Sequence, residues 1–198
     1  MGDRPVIELD NKTPLQAANL PTINQLVKEG QCGTADPVKP GIVATTVSGT
    51  LAILGYDPLE KTVSRGVVEA LGCGMKINVG DVAFRGNWAT LDKKCLIVDR
   101  RAGRIREGIN ELASSITGQN IDNVRIDVAS GTEHRIAVVM RGSDLQDCVS
   151  GSDPGDQFHS GIHPRLIKPL DKNNPKCLRT AKLLNLFELK AREILAKH

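Results

Sequence analysis

The chain has 198 residues, 40% of them hydrophobic, and carries 26 Lys and Arg against 23 Asp and Glu. That length can bury one large core or two small ones, and the near balance of interspersed charges excludes the basic footprint of a nucleic-acid binder. The five aromatic residues, Tyr56, Phe84, Trp88, Phe158 and Phe187, are too few to stack single strands. An acidic N-terminus broken by Pro5, and no apolar run of spanning length, argue against secretion and against a membrane.

In chain order, Thr13 is placed to cap a helix that opens on Pro14. Pro21 begins a second helix with Ile23, Leu26 and Val27 on one face, stopped by Gly30. Gly41 to Thr45 reads as a short apolar strand ending in a loop at Thr46, the position where open α/β sheets place their chemistry. From Asp81 to Leu91, period two puts Val82, Phe84 and Trp88 on one face of a strand and Arg85 with Asn87 on the other. Cys95 to Asp99 reads as a second strand, Glu107 to Ile116 has helical spacing, and Val124 to Val128 alternates strictly before a loop and a return strand, Arg135 to Met140. Ser150 to Pro164, rich in Gly, Ser, Asp and Pro, is predicted to be a loop. Asn174 caps a last helix opened by Pro175. Cys32, Cys73, Cys95, Cys148 and Cys177 are odd in number and form no Cys-x-x-Cys pair, so they read as free thiols of a reducing cytoplasm, the predicted compartment.

Four motifs carry a resemblance that runs the length of the chain. They are Thr45-Thr46-Val47-Ser48-Gly49-Thr50-Leu51-Ala52-Ile53-Leu54-Gly55-Tyr56-Asp57-Pro58, then Ser64-Arg65-Gly66, Asp99-Arg100-Arg101-Ala102-Gly103-Arg104 and Gly131-Thr132-Glu133-His134-Arg135. With Met1-Gly2-Asp3-Arg4-Pro5 and Lys12-Thr13-Pro14-Leu15 at the start, they resemble the archaeal-type, cofactor-independent phosphoglycerate mutases of the alkaline phosphatase superfamily. The resemblance implies an α/β fold: a partial phosphatase-like parallel-sheet core from residues 1–72, an inserted α+β substrate domain over 73–172, and a helix over 173–198 returning to the core. The chain reads as the front half of such an enzyme.

The implied reaction interconverts 2- and 3-phosphoglycerate in glycolysis or gluconeogenesis. The phosphoryl group passes through an enzyme hydroxyl held by two divalent ions, typically manganese, with magnesium or zinc as alternatives, and without 2,3-bisphosphoglycerate. Where the family carries Gly-Ser-Asp, with Ser as the phosphoryl acceptor, this chain has Thr45, Thr46 and Val47. Thr46 therefore takes the place of the catalytic hydroxyl and of its metal contact, and the other family ligands are absent from this chain. No Gly-x-Gly-x-x-Gly run supports a nucleotide cofactor.

A phosphorylated three-carbon acid is charged at both ends, and guanidinium forks match its oxygens. Arg100, Arg101, Arg104 and Arg106 offer such groups in one stretch, and Arg85 and Arg135 are assigned to the same pocket. Glu133 and His134, on a loop between strands, are placed to orient hydroxyls or shuttle a proton. The substrate-binding set implied by the resemblance is Arg85, Asp99, Arg100, Arg104, Glu133, His134 and Arg135. Two readings stand beside the mutase: a metal-dependent phosphatase or other phosphotransferase of the same superfamily, and a non-catalytic phosphoglycerate-binding module. The expected partner is the small phosphorylated acid, with no nucleic acid and no membrane; the sequence carries no signal for an oligomeric state.

Overall fold

The computed structural model describes residues 4–60, 63–155 and 160–197. Met1, Gly2 and Asp3 of the opening motif, and Phe158 within the predicted loop, lie outside the described residues. The chain divides into two compact units, Met1–Ala44 and Thr45–His198.

In the first unit Thr13 caps α1 (Pro14–Ala17). Its hydroxyl accepts from the Gln16 N–H at 3.1 Å and Gln16 Oε1 accepts from the Thr13 N–H at 2.9 Å, satisfying two orphan donors reciprocally. Helix α2 (Pro21–Glu29) opens on its proline and ends at Gly30, whose N–H donates to the Leu26 carbonyl at 2.8 Å. No described residue of this unit is buried, and Leu26 on the apolar face of α2 is 63% exposed. Local hydrogen bonds, not burial, hold these helices.

The strand expected over Gly41 to Thr45 does not form. Lys39 and Ile42 make one isolated bridge, and Thr45 instead caps α3 (Thr46–Ile53): its Oγ1 accepts from the Ser48 N–H at 3.1 Å while Ser48 Oγ accepts from the Thr45 N–H at 2.8 Å. A parallel strand needs a hydrogen-bonded neighbour. No described strand pairs with this run, so it stays irregular up to Thr45, where the capping box starts the helix. Thr46 lies in a first helical turn and not in a loop.

The second unit is a three-layer assembly. One sheet has the order β1 (Val82–Asn87), β6 (Arg135–Arg141), β5 (Val124–Ser130), β4 (Gln119–Ile121), with every pair antiparallel; β2 (Thr90–Leu91) and β3 (Ile97–Asp99) form a second antiparallel pair. The fold is thus mixed α/β, and among the described residues its sheets are antiparallel and lie within 82–141, the stretch expected to form the inserted α+β domain. Alternation along β6 sends Ile136, Val138 and Met140 into a core shared with α5 (Ile109–Ile116) and α6 (Pro175–Leu195), and Ala137 and Val139 into a smaller core against α4 (Arg65–Gly72). On β1, Phe84 packs with the first core and Ala83 with the second.

Helix α4 lies close on β1 because its contact face is made of small residues. A Cβ on Gly66 would stand 1.9 Å from the Ala83 carbonyl oxygen. On the opposite face, α6 starts where Asn174 Oδ1 accepts from the Lys176 N–H at 3.0 Å, and it buries Leu183, Leu184 and Phe187, each worth about 1.5–3 kcal/mol relative to exposure. Asn185 fastens the preceding segment to this helix, accepting from the Ile167 N–H at 3.0 Å and donating to the Ile167 carbonyl at 2.9 Å. No helix among the described residues is long and apolar enough to cross a membrane.

Cys148 and Cys177 are joined by a disulfide with Cα atoms 5.3 Å apart, which corrects the expectation of five free thiols; Cys32, Cys73 and Cys95 are free. Nothing local in the sequence announces that the segment after β6 returns against the start of α6. The two cysteines are 29 residues apart, for which the chain-entropy model gives about 3–4 kcal/mol. Cys148→Ser is expected to lower the urea midpoint, and dithiothreitol to lower that of the parent chain while leaving the variant unmoved. A reductant effect equal in both would contradict the assignment.

Candidate functional site

Arg85 stands on the face of β1 that meets α4, two residues beyond Ala83, and its Nε lies 3.4 Å from Glu69 Oε2 on that helix. Asn87, next on the same face, donates from Nδ2 to Asp153 Oδ2 at 3.2 Å, and Arg100 donates from Nε to Asp153 Oδ1 at 2.6 Å. Asp153, in the loop after β6, thereby clips the end of β1 to the segment after β3. These groups line one cavity of about 450 Å³ together with Ser64, Arg65 and Gly66 at the start of α4 and with Asp147. Ser64 Oγ caps the helix by accepting from the Val67 N–H at 3.3 Å. The N–H groups of Arg65 and Gly66 have no acceptor within the helix, as at any helix start.

The electrostatics are those of crowded cations. Burial, then the charges of Arg65 and Arg135, pull Arg85 below its ordinary range, against the opposing pull of Glu69 and Asp153. An anion set among these guanidinium groups would relieve that repulsion. Desolvation alone would raise the Asp153 carboxyl, but the hydrogen bond from Arg100 carries it below the usual range. Desolvation raises Asp147, opposed by a hydrogen bond with the Ser64 side chain.

Asp99 turns back on its own loop. Its Oδ1 accepts from the Arg101 N–H and its Oδ2 from the Gly103 N–H, both at 2.7 Å, and these bonds, led by that from Arg101, hold its carboxyl low. The loop so held carries Ala102, Gly103 and Arg104 at φ of 44°, 64° and 55°, a left-handed run that Ala and Arg adopt at a cost. Asp99 is therefore a positioning residue for the segment that begins at Arg100.

Glu133 accepts from Arg106 Nη2 at 2.7 Å, and that bond first of all keeps its carboxyl below the ordinary range. His134 is 7% exposed, its carbonyl accepts from the Trp88 N–H at 2.7 Å, and its Nδ1, 4.0 Å from Glu133 Oε2, has no hydrogen-bond partner among the described residues. Burial, then Arg101 and Arg135, lower its pKa, so the imidazole is neutral at pH 7.

Arg85 and Arg100 are thus brought together in the cavity. Asp99 and Glu133 are engaged by neighbouring loop groups, whereas among the described residues His134 is held only through its carbonyl. Arg104 and Arg135 are exposed, and Arg135 is felt by Arg85 and His134 as a nearby charge. Thr46, whose carbonyl accepts from Thr50 Oγ1 at 2.7 Å, is not among the cavity-lining residues. The sequence reading assigned no role to Ser64, Arg65, Asn87, Asp147 or Asp153. Ser64 and Arg65 sit in a recognised motif and Asn87 shares the face of Arg85, whereas Asp147 and Asp153 are placed by long-range packing that leaves no local signal.

Three guanidinium groups, a helix start and two carboxylates line one open cavity of this α/β protein, a donor set whose geometry matches anionic oxygens. The family model of 2,3-bisphosphoglycerate-independent phosphoglycerate mutases matches residues 27–198, and the chain belongs to that family. It is 40% identical to the 2,3-bisphosphoglycerate-independent phosphoglycerate mutase of Methanobrevibacter smithii and 46% identical to that of Picrophilus torridus, matching 100% of this chain in each case but 48% and 47% of the relative. The solved cofactor-independent phosphoglycerate mutase of Thermoplasma acidophilum matches with a TM-score of 0.65 and 42% identity, covering 100% of this chain and 50% of its own. The chain spans about half the length of the relatives it matches.

Two measurements check the electrostatic account. Asp99→Ala is expected to speed hydrogen exchange at the amides of Arg101 and Gly103 while leaving β5 and β6 protected; unchanged exchange at those two amides would remove the clamp. Because folding lowers the His134 pKa below its unfolded value of about 6.5, the unfolded chain binds more protons in between, and stability falls as pH drops through that window. His134→Gln is expected to flatten the fall in urea midpoint between about pH 7 and pH 5, and an unaltered slope would contradict the assignment.

Proposed function

We propose that this chain is the substrate-holding part of a cofactor-independent phosphoglycerate mutase, an isomerase of glycolysis or gluconeogenesis. The observation that carries the reading is that Arg65, Arg85 and Arg100 line one cavity with the start of α4, in a chain that belongs to this family. Guanidinium forks meet phosphate and carboxylate, and Asp147 and Asp153 accept from glycerate hydroxyls. Asp99 fixes the loop of Arg100, and His134, neutral behind it, adds no further positive charge. Such a grip keeps glycerate in place between loss and return of the phosphoryl group, which is what separates a mutase from a phosphatase. Arg104, Glu133 and Arg135 contribute at the rim, and the Thr46 hydroxyl is the proposed phosphoryl acceptor.

The family resemblance implies two divalent ions. Among the described residues no group of three or more His, Cys, Asp and Glu side chains is placed to hold a metal ion, so the residues here do not fit a dinuclear site and no step is derived through one. That observation favours a second reading for the chain by itself, a phosphoglycerate-binding module.

Calorimetric titration with 3-phosphoglycerate in excess EDTA is expected to show saturable binding, weakened about tenfold or more by Arg85→Ala and by Arg100→Ala. Lack of binding, or binding indifferent to both substitutions, overturns the proposal. An enolase-coupled assay with added manganese separates the readings: 2-phosphoglycerate formation supports the mutase, release of inorganic phosphate alone supports a phosphatase, and binding without either supports the module.

A further inference from the structure

A second cavity, of about 360 Å³, lies on the other side of β1, between the sheet and α6, and nothing in the phosphoglycerate reading uses it. Its walls are mostly apolar, with Phe84, Trp88, Ile97, Leu184, Phe187 and Ala191 among the lining residues, and Arg100, Asp153, Glu188 and Arg192 at the same lining. The space opens to the surface between the end of β1 and α6, so a small molecule can enter it. Two buried polar atoms of residues in its lining lack a hydrogen-bond partner. Trp88, 7% exposed, has no hydrogen-bond partner for its indole Nε1 among the described residues, and neither has Asn87 Oδ1. Buried indole N–H groups ordinarily find an acceptor, and leaving one orphaned is costly.

Charged groups of its lining are paired with one another. Glu188 accepts from Arg192 Nη2 at 3.5 Å and also from the Ser152 hydroxyl, and Arg100 donates to Asp153. A charged ligand would have to give up its hydration against a lining that is mostly apolar.

We propose that this cavity is a binding site for a neutral, largely apolar small molecule about the size of a bicyclic ring system, with one hydrogen-bond acceptor for Trp88 Nε1. The volume falls within the range of small-molecule pockets, where a few placed polar groups orient a mostly apolar ligand. Arg85, Asn87, Arg100 and Asp153 line both cavities, so the occupant rests against the back of the wall that faces the anion site.

Trp88 is the only tryptophan of the chain, and its fluorescence reports directly on the site. Titration with camphor, a non-fluorescent bicyclic ketone, is expected to give a saturable spectral change with a dissociation constant of about 1 mM or below. Camphor-10-sulfonate, which adds a charge, is expected to bind about tenfold more weakly or worse. Ala191→Phe, which fills the space, is expected to weaken camphor about tenfold or more. Should that variant fail to fold by circular dichroism, Trp88→Phe read by calorimetry is expected to lose about fivefold through the missing donor. A linear, non-saturating response, an equal response to the sulfonate, or full affinity in a folded Ala191→Phe or Trp88→Phe chain overturns the proposal. None of these outcomes depends on phosphoglycerate binding, so the two proposals fail separately.

Discussion

The site depends on how closely α4 approaches β1. Gly66 and Ala70 on the helix meet Ala83, Ala137 and Val139 on the sheet, and no side chain larger than hydrogen fits at Gly66. That small-residue seam sets the N-terminus of α4, with Ser64 and Arg65, around the same cavity as Arg85. A bulkier seam would lift the helix away, and Arg65 would leave the neighbourhood in which its charge acts on Arg85. Packing on one face of the sheet is therefore the cause of charge crowding at its end.

Crowded cations must be restrained by something other than their ligand. Here carboxylates do it from behind. Glu69 takes Arg85, Asp153 takes Arg100, and Glu133 takes Arg106. Glu69 and Arg85 are both half-buried, as is Arg100, and these pairs fix where the forks point. Asp99 acts on backbone instead, holding the left-handed run at Ala102–Gly103–Arg104. The opposite face of the sheet carries the larger core, closed by α6 and stapled by Cys148–Cys177, and it provides the rigid support that a preorganised anion site requires.

Much of this architecture was legible because its signals are local. Thr13 with Pro14, Pro21 with Gly30, and Asn174 with Pro175 mark helix boundaries through capping chemistry, and alternation along 82–88 and 124–140 marks strands and their faces. The pairing of Arg85 with Asn87 on one face follows from the same rule. Other features depend on partners distant in sequence. Gly41 to Thr45 has strand composition but pairs with no strand among the described residues, so it stays irregular up to the Thr45–Ser48 capping box. Strand β4, only Gln119–Ile121, is too short to show a period, although Asp122 and Asn123, at φ of 50° and 60°, form the tight turn that pairs it with β5. The Asp153 clip and the disulfide join segments dozens of residues apart, and no local pattern encodes them. Within the site, the arginines were readable as a chemistry, but which of them share a cavity is decided by the seam.

The central claim is that one cavity gathers Arg65, Arg85 and Arg100 around a small anion. It is tested most directly by nitrogen–proton correlation spectra of the arginine Nε–H groups during addition of 3-phosphoglycerate. The account predicts that these three resonances shift together with one common saturation, while those of Arg125 and Arg179, paired with Asp127 and Asp122 away from the cavity, stay fixed. Shifts spread over all arginines, or confined to Arg125 and Arg179, would contradict it.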